Sequence, residues 1–269
     1  MAQLLLRGQA LADARGIPYP INAVLFDKDG TLSISEPMLH ALASARVFHT
    51  SQLLQQRHPE LGASSTLELV RLLELAYGLR DGGIHPAGAT AVGSRNHNLI
   101  STATALAQVG LGWPEALELG ETVFSATDGL HGQGSQHRPL ATDGLHNLLS
   151  ALRAADVACA VISNDDVAGI EAFLASEKLS KRFQALWSAD HTPRKPDPAA
   201  VLALCADLGV RADQCALIGD ANSDLRMAQQ AGVPVVIGYG AGWTTPPPLD
   251  SCFPCLHHWD ELEVRATAA

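Results

Sequence analysis

Charged side chains make up only 17% of the 269 residues and aromatic ones only 5%. So few rings leave no run of base-stacking platforms, and a formal charge of −10 disfavours a nucleic-acid partner. Long apolar runs near the start are missing too, since Leu4-Leu5-Leu6 is stopped at once by Arg7 and Gly8. That run is too short for a signal-peptide core or a membrane span, so a cytoplasmic chain with no membrane partner is expected. Also absent are a P-loop, a GxGxxG after a strand, a GxSxG elbow and an HExxH helix, which sets aside the enzymes those motifs mark. Cysteine is sparse, and Cys159, Cys205 and Cys215 lie in apolar stretches, as buried reduced thiols do. Cys252 and Cys255 have a suggestive spacing before His257 and His258. No zinc-ligand pattern or thioredoxin-like unit surrounds them, so they read as part of a C-terminal loop.

What the chain does have is 47% hydrophobic residues, enough for a sizeable core without disulfide or metal staples. Short apolar runs at 23–27, 157–163, 185–188, 216–220 and 233–237 suit strands buried on both faces of a parallel sheet. Helical periodicity at 167–176, 198–208 and 223–231 alternates with the last four, the mark of a doubly wound α/β core. The first two strands break the rhythm. Between them lie helical patterns at 36–57, 67–79, 89–109 and 114–125, a Gly- and Asp-rich loop at 127–134, and a last helix at 145–154. Ser65-Thr66-Leu67-Glu68 fits a capping box for the second of these helices. The domain reading is a core of 1–35 and 135–269 with a helical domain, 36–134, inserted after the first strand. The repeated TDGLH at 127–131 and 142–146 reflects turn chemistry and no repeat architecture.

In open parallel sheets the reactive crevice lies beyond the carboxyl ends of the strands. The first strand brings Asp27 and Asp29 there, the second Ser163-Asn164-Asp165, and the fourth Asp220 with Asp224 four residues on; Lys195 precedes a helix. Taken singly, each has a plain structural reading: a solvated turn, a strand-end serine, a surface lysine, a helix cap. Together they would converge. Clustered carboxylates repel one another unless a cation joins them, and hard oxygen ligands select Mg²⁺. One carboxylate could then attack phosphorus while its neighbour transfers the proton, and a lysine and a hydroxyl could hold the phosphoryl oxygens.

The set DKDGTL, VISND, RKPDP and IGDANSD, in that order, resembles the four motifs of the haloacid dehalogenase (HAD) superfamily. Within it the chain is most similar to subfamily IA members with a C1 cap, the phosphoglycolate phosphatase-like group. The resemblance implies a Rossmann-like core, Asp27 as nucleophile and Asp29 as general acid/base. It implies Mg²⁺ on Asp27, the Asp29 main-chain carbonyl and Asp220, with Asp224 supporting. It places Ser163, Asn164, Lys195 and the backbone of Gly30 and Thr31 on phosphate. Lys28 departs from the family's usual apolar residue; strand alternation turns it away from Asp27, toward the core rim or solvent. The segment 33–37 also lacks the Asp common there, which touches the hinge and not the chemistry.

Selectivity would come from the inserted domain, where Arg95, His97 and Asn98 are candidates for the leaving group and Arg46, Arg71 and Arg80 are weaker ones. The function expected is Mg²⁺-dependent hydrolysis of a small phosphorylated metabolite through an aspartyl-phosphate. A phosphotransferase or sugar phosphomutase of the same fold needs the same acids and remains the alternative. A non-catalytic phosphate-binding or signalling module is a third reading, distinguished by absence of turnover. Substrate identity and oligomeric state are not legible.

Overall fold

The computed structural model describes residues 1–80, 82–128 and 138–267. The chain divides into two compact units, one of Met1–Ile34 with Leu140–Ala269 and the other of Ser35–Pro139. In chain order the first unit opens with β1 (Ala2–Leu6), β2 (Gln9–Ala10), β3 (Ala23–Phe26) and β4 (Ser33–Ile34). The second unit holds α1 (Glu36–Arg57), α2 (Gly62–Tyr77), β5 (Leu79–Arg80), β6 (Gly83–Ile84), α3 (Ala89–Val92), α4 (Arg95–Gln108) and α5 (Trp113–Thr127). The first unit resumes with β7 (Leu140–Ala141), α6 (Leu145–Ala154), β8 (Ala158–Ile162), α7 (Val167–Ser176), β9 (Ala185–Trp187) and α8 (Pro198–Asp207). It closes with β10 (Cys215–Gly219), α9 (Asn222–Gln230), β11 (Val235–Tyr239), β12 (Cys255–Leu256) and β13 (Leu262–Ala266).

The six-stranded sheet has the order β12-β11-β10-β3-β8-β9, and every neighbouring pair in it is parallel. Successive side chains of a strand face opposite ways, so a strand covered on both faces must be apolar throughout. In β3, Val24 and Phe26 enter one core with Val161 and Ile218, while Ala23 and Leu25 enter the other with Ile162 and Leu217. Helices α6 and α7 cover the first face, through Leu148, Leu152, Ile170 and Phe173. Helices α8 and α9 cover the second, through Val201, Leu204, Leu225 and Met227. Each fully buried Val, Leu or Phe in that central strand is worth about 1.5–3 kcal/mol relative to exposure. The doubly wound α/β reading holds.

Helix starts follow side-chain chemistry. Asp166 accepts from the Gly169 amide at 2.7 Å to begin α7, and Asp197 accepts from the Ala199 amide at 2.9 Å, with Pro198 in the first turn of α8. In the helical unit, α2 begins at Gly62, so Ser65 and Glu68 lie inside it, no capping box forms there, and Glu68 instead pairs with Arg71. The capping box belongs to α4, where Ser94 Oγ accepts from the His97 amide and His97 Nδ1 accepts from the Ser94 amide. Gly93-Ser94 thereby splits the 89–109 stretch into α3 and α4. Leu69, Leu73, Tyr77, Leu99, Leu106, Leu119, Val123 and Phe124 form this unit's core.

A second sheet is absent from the sequence reading: β13-β1-β2, antiparallel, with Ala2 opposite Ala266 and Leu6 opposite Leu262. Cys252 lies in an exposed turn and Cys255 starts β12. Residues 129–137, which include most of the 127–134 loop, the end of the first TDGLH and the 134/135 boundary, lie outside the described residues. No helix among the described residues is long and apolar enough to cross a membrane.

Candidate active site

Three neighbouring strands, β10, β3 and β8, end on the same side of the sheet. Asp27 directly follows β3, its amide still donating to Ile218 O of β10 at 2.9 Å. Asp220 follows β10, and Asp224 sits in the first turn of α9, where a helix N-terminus favours a carboxylate. Oxygens of Asp27, Asp220 and Asp224 lie within 4.8 Å of one another, and all three residues are buried.

Lys195 reaches this group from the loop after β9, a loop tied down by Trp187 Nε1 donating to Pro193 O at 2.7 Å. Its ammonium lies 2.6 Å from Asp27 Oδ1, 2.8 Å from Asp224 Oδ1 and 3.2 Å from Ile162 O, which accounts for its three donors. Burial alone would lower the lysine's pKa, but Asp224 and Asp27 outweigh it and hold the ammonium charged.

Asp220 receives two donors, Thr31 Oγ1 on Oδ1 at 3.2 Å and Trp243 Nε1 on Oδ2 at 2.6 Å. The Trp243 contact depends on a close crossing of two loops. Gly30 has φ +78, and a Cβ there would lie 2.1 Å from Trp243 Nε1 and 2.5 Å from Asp220 Oδ2. A Cβ on Gly242 would lie 1.8 Å from Gly30 O. Trp243 escaped the sequence reading, because only the paired Gly240 and Gly242 before it hinted at a close backbone approach.

Three carboxylates with one ammonium leave the cluster short of positive charge. Burial pushes Asp27 up to about 6, with Lys195 opposing and Asp224 adding to it. Burial, then Asp27 and Asp224, push Asp220 well above its ordinary value. For a carboxyl group raised in the fold, the stability it contributes is present below its ordinary 3.8 and is lost as pH rises through about 6. At neutral pH the raised Asp27 and Asp220 carboxyls therefore subtract from stability, while the Lys195 ion pairs add to it. The donor set, three hard oxygens with uncompensated charge, fits a divalent cation. Asp220→Asn keeps an acceptor for Trp243 and removes one repelling charge. It is expected to raise the Tm of the chelator-treated protein, a gain of about 1 kcal/mol. A lowered Tm would show that the cluster is not strained by charge.

Lys28 and Asp29 form a separate group. Lys28 is 1% exposed, which corrects the expectation of a core-rim or solvent lysine. Alternation does turn it from Asp27, but toward Asp29 Oδ1 at 2.6 Å and Asp165 Oδ2 at 3.0 Å. A buried ammonium needs such partners, and alternation alone does not reveal them. Ser163 is buried at the end of β8, its Oγ accepting from the Asp165 amide at 3.1 Å, with Asn164 half-buried beside it. The Gly30 and Thr31 amides, expected on phosphate, instead close the turn by donating to Ser33 O at 2.9 Å and Lys28 O at 3.3 Å. The φ of Gly30 bends the loop back on itself and gives those amides their intraloop acceptors.

The three specificity candidates serve the helical unit's own architecture. Arg95 donates to Asp128 Oδ2 at 2.7 Å and Glu121 Oε2 at 3.3 Å. His97 completes the α4 cap, and buried Asn98 donates to Ala89 O and Ser94 O, each at 3.0 Å. Arg46 is buried too, bonded to Asp128 Oδ1 at 2.8 Å with its guanidinium 3.8 Å from the Phe124 ring centroid.

A parallel sheet with acids at the ends of β3 and β10 and a lysine between them defines a class of α/β hydrolases, and the family model of haloacid dehalogenase-like hydrolases matches residues 21–232. The chain belongs to that family and is an enzyme. It is 30% identical over 250 residues to phosphoglycolate phosphatase of Thiobacillus denitrificans, covering 90% of this chain and 95% of that protein. Phosphoglycolate phosphatase of Rhodospirillum rubrum is 39% identical over a shorter stretch of 95 residues, 35% of this chain and 39% of that relative's length. The fold resembles the crystal structure of a predicted phosphoglycolate phosphatase from Haemophilus somnus 129pt. The TM-score there is 0.57 at 18% identity, over 84% of this chain and 89% of that one.

Proposed function

We propose that the protein is a phosphatase of small phosphate monoesters, acting through a phosphorylated Asp27. The observation that carries this reading is the division of the acids into two groups. Asp27 stands with Lys195, Asp220 and Asp224, while Asp29 is held apart by Lys28. The Lys195 ammonium, 2.6 Å from Asp27 Oδ1, favours the ionised carboxylate that a nucleophile must present.

An Asp27 carboxylate oxygen attacks phosphorus and the ester P–O bond breaks. Asp29, entering as the carboxylic acid, gives its proton to the departing oxygen, so an alcohol leaves. A water then attacks the phosphorus of phospho-Asp27 and passes a proton to Asp29. The Asp27–phosphorus bond breaks, inorganic phosphate departs, and both acids return to their starting forms. Lys195, Ser163 and Asn164 would hold phosphoryl oxygens during transfer. The Asp27, Asp220 and Asp224 carboxylates and the Asp29 main-chain carbonyl would hold Mg²⁺, which would supply neutralising charge there. The relatives' activity supports the same reaction, and free cysteines throughout the described chain fit a reducing cytoplasm.

Phosphate release from a panel of esters, 2-phosphoglycolate and sugar phosphates included, tests the reading with Mg²⁺ and with EDTA. Release that needs the metal and returns on its re-addition is expected, and the fastest ester names the substrate class. Isomerised ester in place of free phosphate, or no turnover at all, would sink it.

A further inference from the structure

Lys28 occupies a place that stability does not explain. Its side chain is 2% exposed, between Asp29 on its own loop and Asp165 on the loop after β8. Taking an ammonium out of water carries a cost that its two carboxylate partners must offset, and an apolar side chain of similar size would pack there without that cost. What the ammonium adds is a directed hydrogen bond to one chosen oxygen, Asp29 Oδ1, at 2.6 Å.

Both ends of this strut are fixed. At the backbone, Lys28 O accepts from the Ser33 amide at 2.9 Å and from Ser33 Oγ at 3.1 Å. At the far end, the anchor is itself anchored: Asp165 Oδ1 accepts from the Asp166 amide at 2.9 Å and Asp165 O from the Ala189 amide at 2.9 Å. Room for the Asp165 carboxylate comes from Gly169, where a Cβ would lie 2.4 Å from Asp165 Oδ2. The bridge thus links the loop after β3 to the loop after β8 through the Lys28 ammonium.

We propose that Lys28, braced by Asp165, is the positioning residue of the proton carrier, fixing the plane of the Asp29 carboxyl so that it meets the departing oxygen. The inference rests on the assignment of Asp29 as general acid in the proposed phosphatase. It matters for alkyl esters, whose alkoxides leave only with a proton, and hardly for aryl esters of acidic phenols.

The test is a ratio. The constant kcat/KM reports the steps up to leaving-group departure, so it isolates the step in which Asp29 acts as an acid. It is measured for two alkyl phosphates, 2-phosphoglycolate and glycerol 3-phosphate, and for 4-nitrophenyl phosphate, in wild type, Asp29→Asn, Lys28→Met and Asp165→Asn. A partly misfolded variant loses both classes of ester alike, and the ratio does not move. Asp29→Asn is expected to lower the alkyl-to-aryl ratio about 1,000-fold, Lys28→Met about 30-fold and Asp165→Asn about 5-fold. Asp165 is the more exposed partner, so its replacement keeps the proposal testable if Lys28→Met folds poorly. A wild-type ratio in both Lys28→Met and Asp165→Asn, with Asp29→Asn still selective, overturns the positioning role alone. No phosphate from any ester with wild type overturns the phosphatase reading and this inference with it.

Discussion

Asp27→Asn is expected to lower phosphate release by about 10⁴-fold or more, the largest effect of any single substitution in the site. An amide oxygen is a poor nucleophile toward phosphorus, so the change removes the attacking group itself. The fold should tolerate the change. Asn can present its carbonyl oxygen to the Lys195 ammonium, now 2.6 Å from Asp27 Oδ1, and loses a charge that burial penalises. The loss should therefore appear with a circular dichroism spectrum like that of wild type. Brief incubation of wild type with labelled ester and acid quench should leave phosphate on the protein, in a bond that hydroxylamine cleaves, and Asp27→Asn should carry none. Metal-dependent release above about 1% of wild type would point to direct attack by water, against covalent catalysis.

Gly242→Ala should have the second largest effect, and it acts without removing any functional group. The added carbon would sit 1.8 Å from Gly30 O and 2.2 Å from Gly30 C, main chain against main chain, with no flexible end to swing aside. Separating the loops withdraws Trp243 from Asp220. Loss of stability of about 3 kcal/mol is expected, read as a lower denaturation midpoint. A weakening of metal affinity of about 10-fold to 100-fold should accompany it, because Trp243 orients a carboxylate of the proposed metal-binding set. Gly8→Ala is the contrast: its φ is +77 but it meets nothing within 4 Å, whereas Gly242 lies outside the left-handed region and is crowded by main chain. It should cost only about 1–2 kcal/mol, from the left-handed backbone. A cost at Gly242 no larger than at Gly8 would mean that the two loops give way to the added carbon and that their crossing does not govern Gly242.

The parallel sheet was legible in the sequence because its strands are buried on both sides and so read as unbroken apolar runs. Helices 36–57 and 145–154 were legible because long periodic faces flank no internal breaker. The split between α3 and α4 was not, since Gly93-Ser94 interrupts the helix without disturbing its apolar spacing. Nor was the β13-β1-β2 sheet, where pairing joins residues far apart in sequence and each strand is short. Among the site residues, Asp27, Lys195, Asp220 and Asp224 were traceable because a strand end or a proline turn announced each one. Trp243 and the pairing of Lys28 with Asp165 were not, because both rest on contacts between loops. Hydrogen bonds across loops leave no period to read.

The short pair β4–β7, Ser33 opposite Ala141 and Ile34 opposite Leu140, brings together the points where the chain leaves the first unit and returns to it. β3 and β8 also lie side by side, Val24 opposite Cys159, although the whole Ser35–Pro139 unit intervenes in sequence. Non-local pairings of this kind are slow to find, because the chain must give up loop entropy before any contact rewards it. A helical unit that folds early shortens the effective loop and delivers Ile34 and Leu140 as near neighbours. The folding rate of the insert thus enters the rate at which the central sheet closes, and a substitution deep among the helices can delay the sheet without touching it.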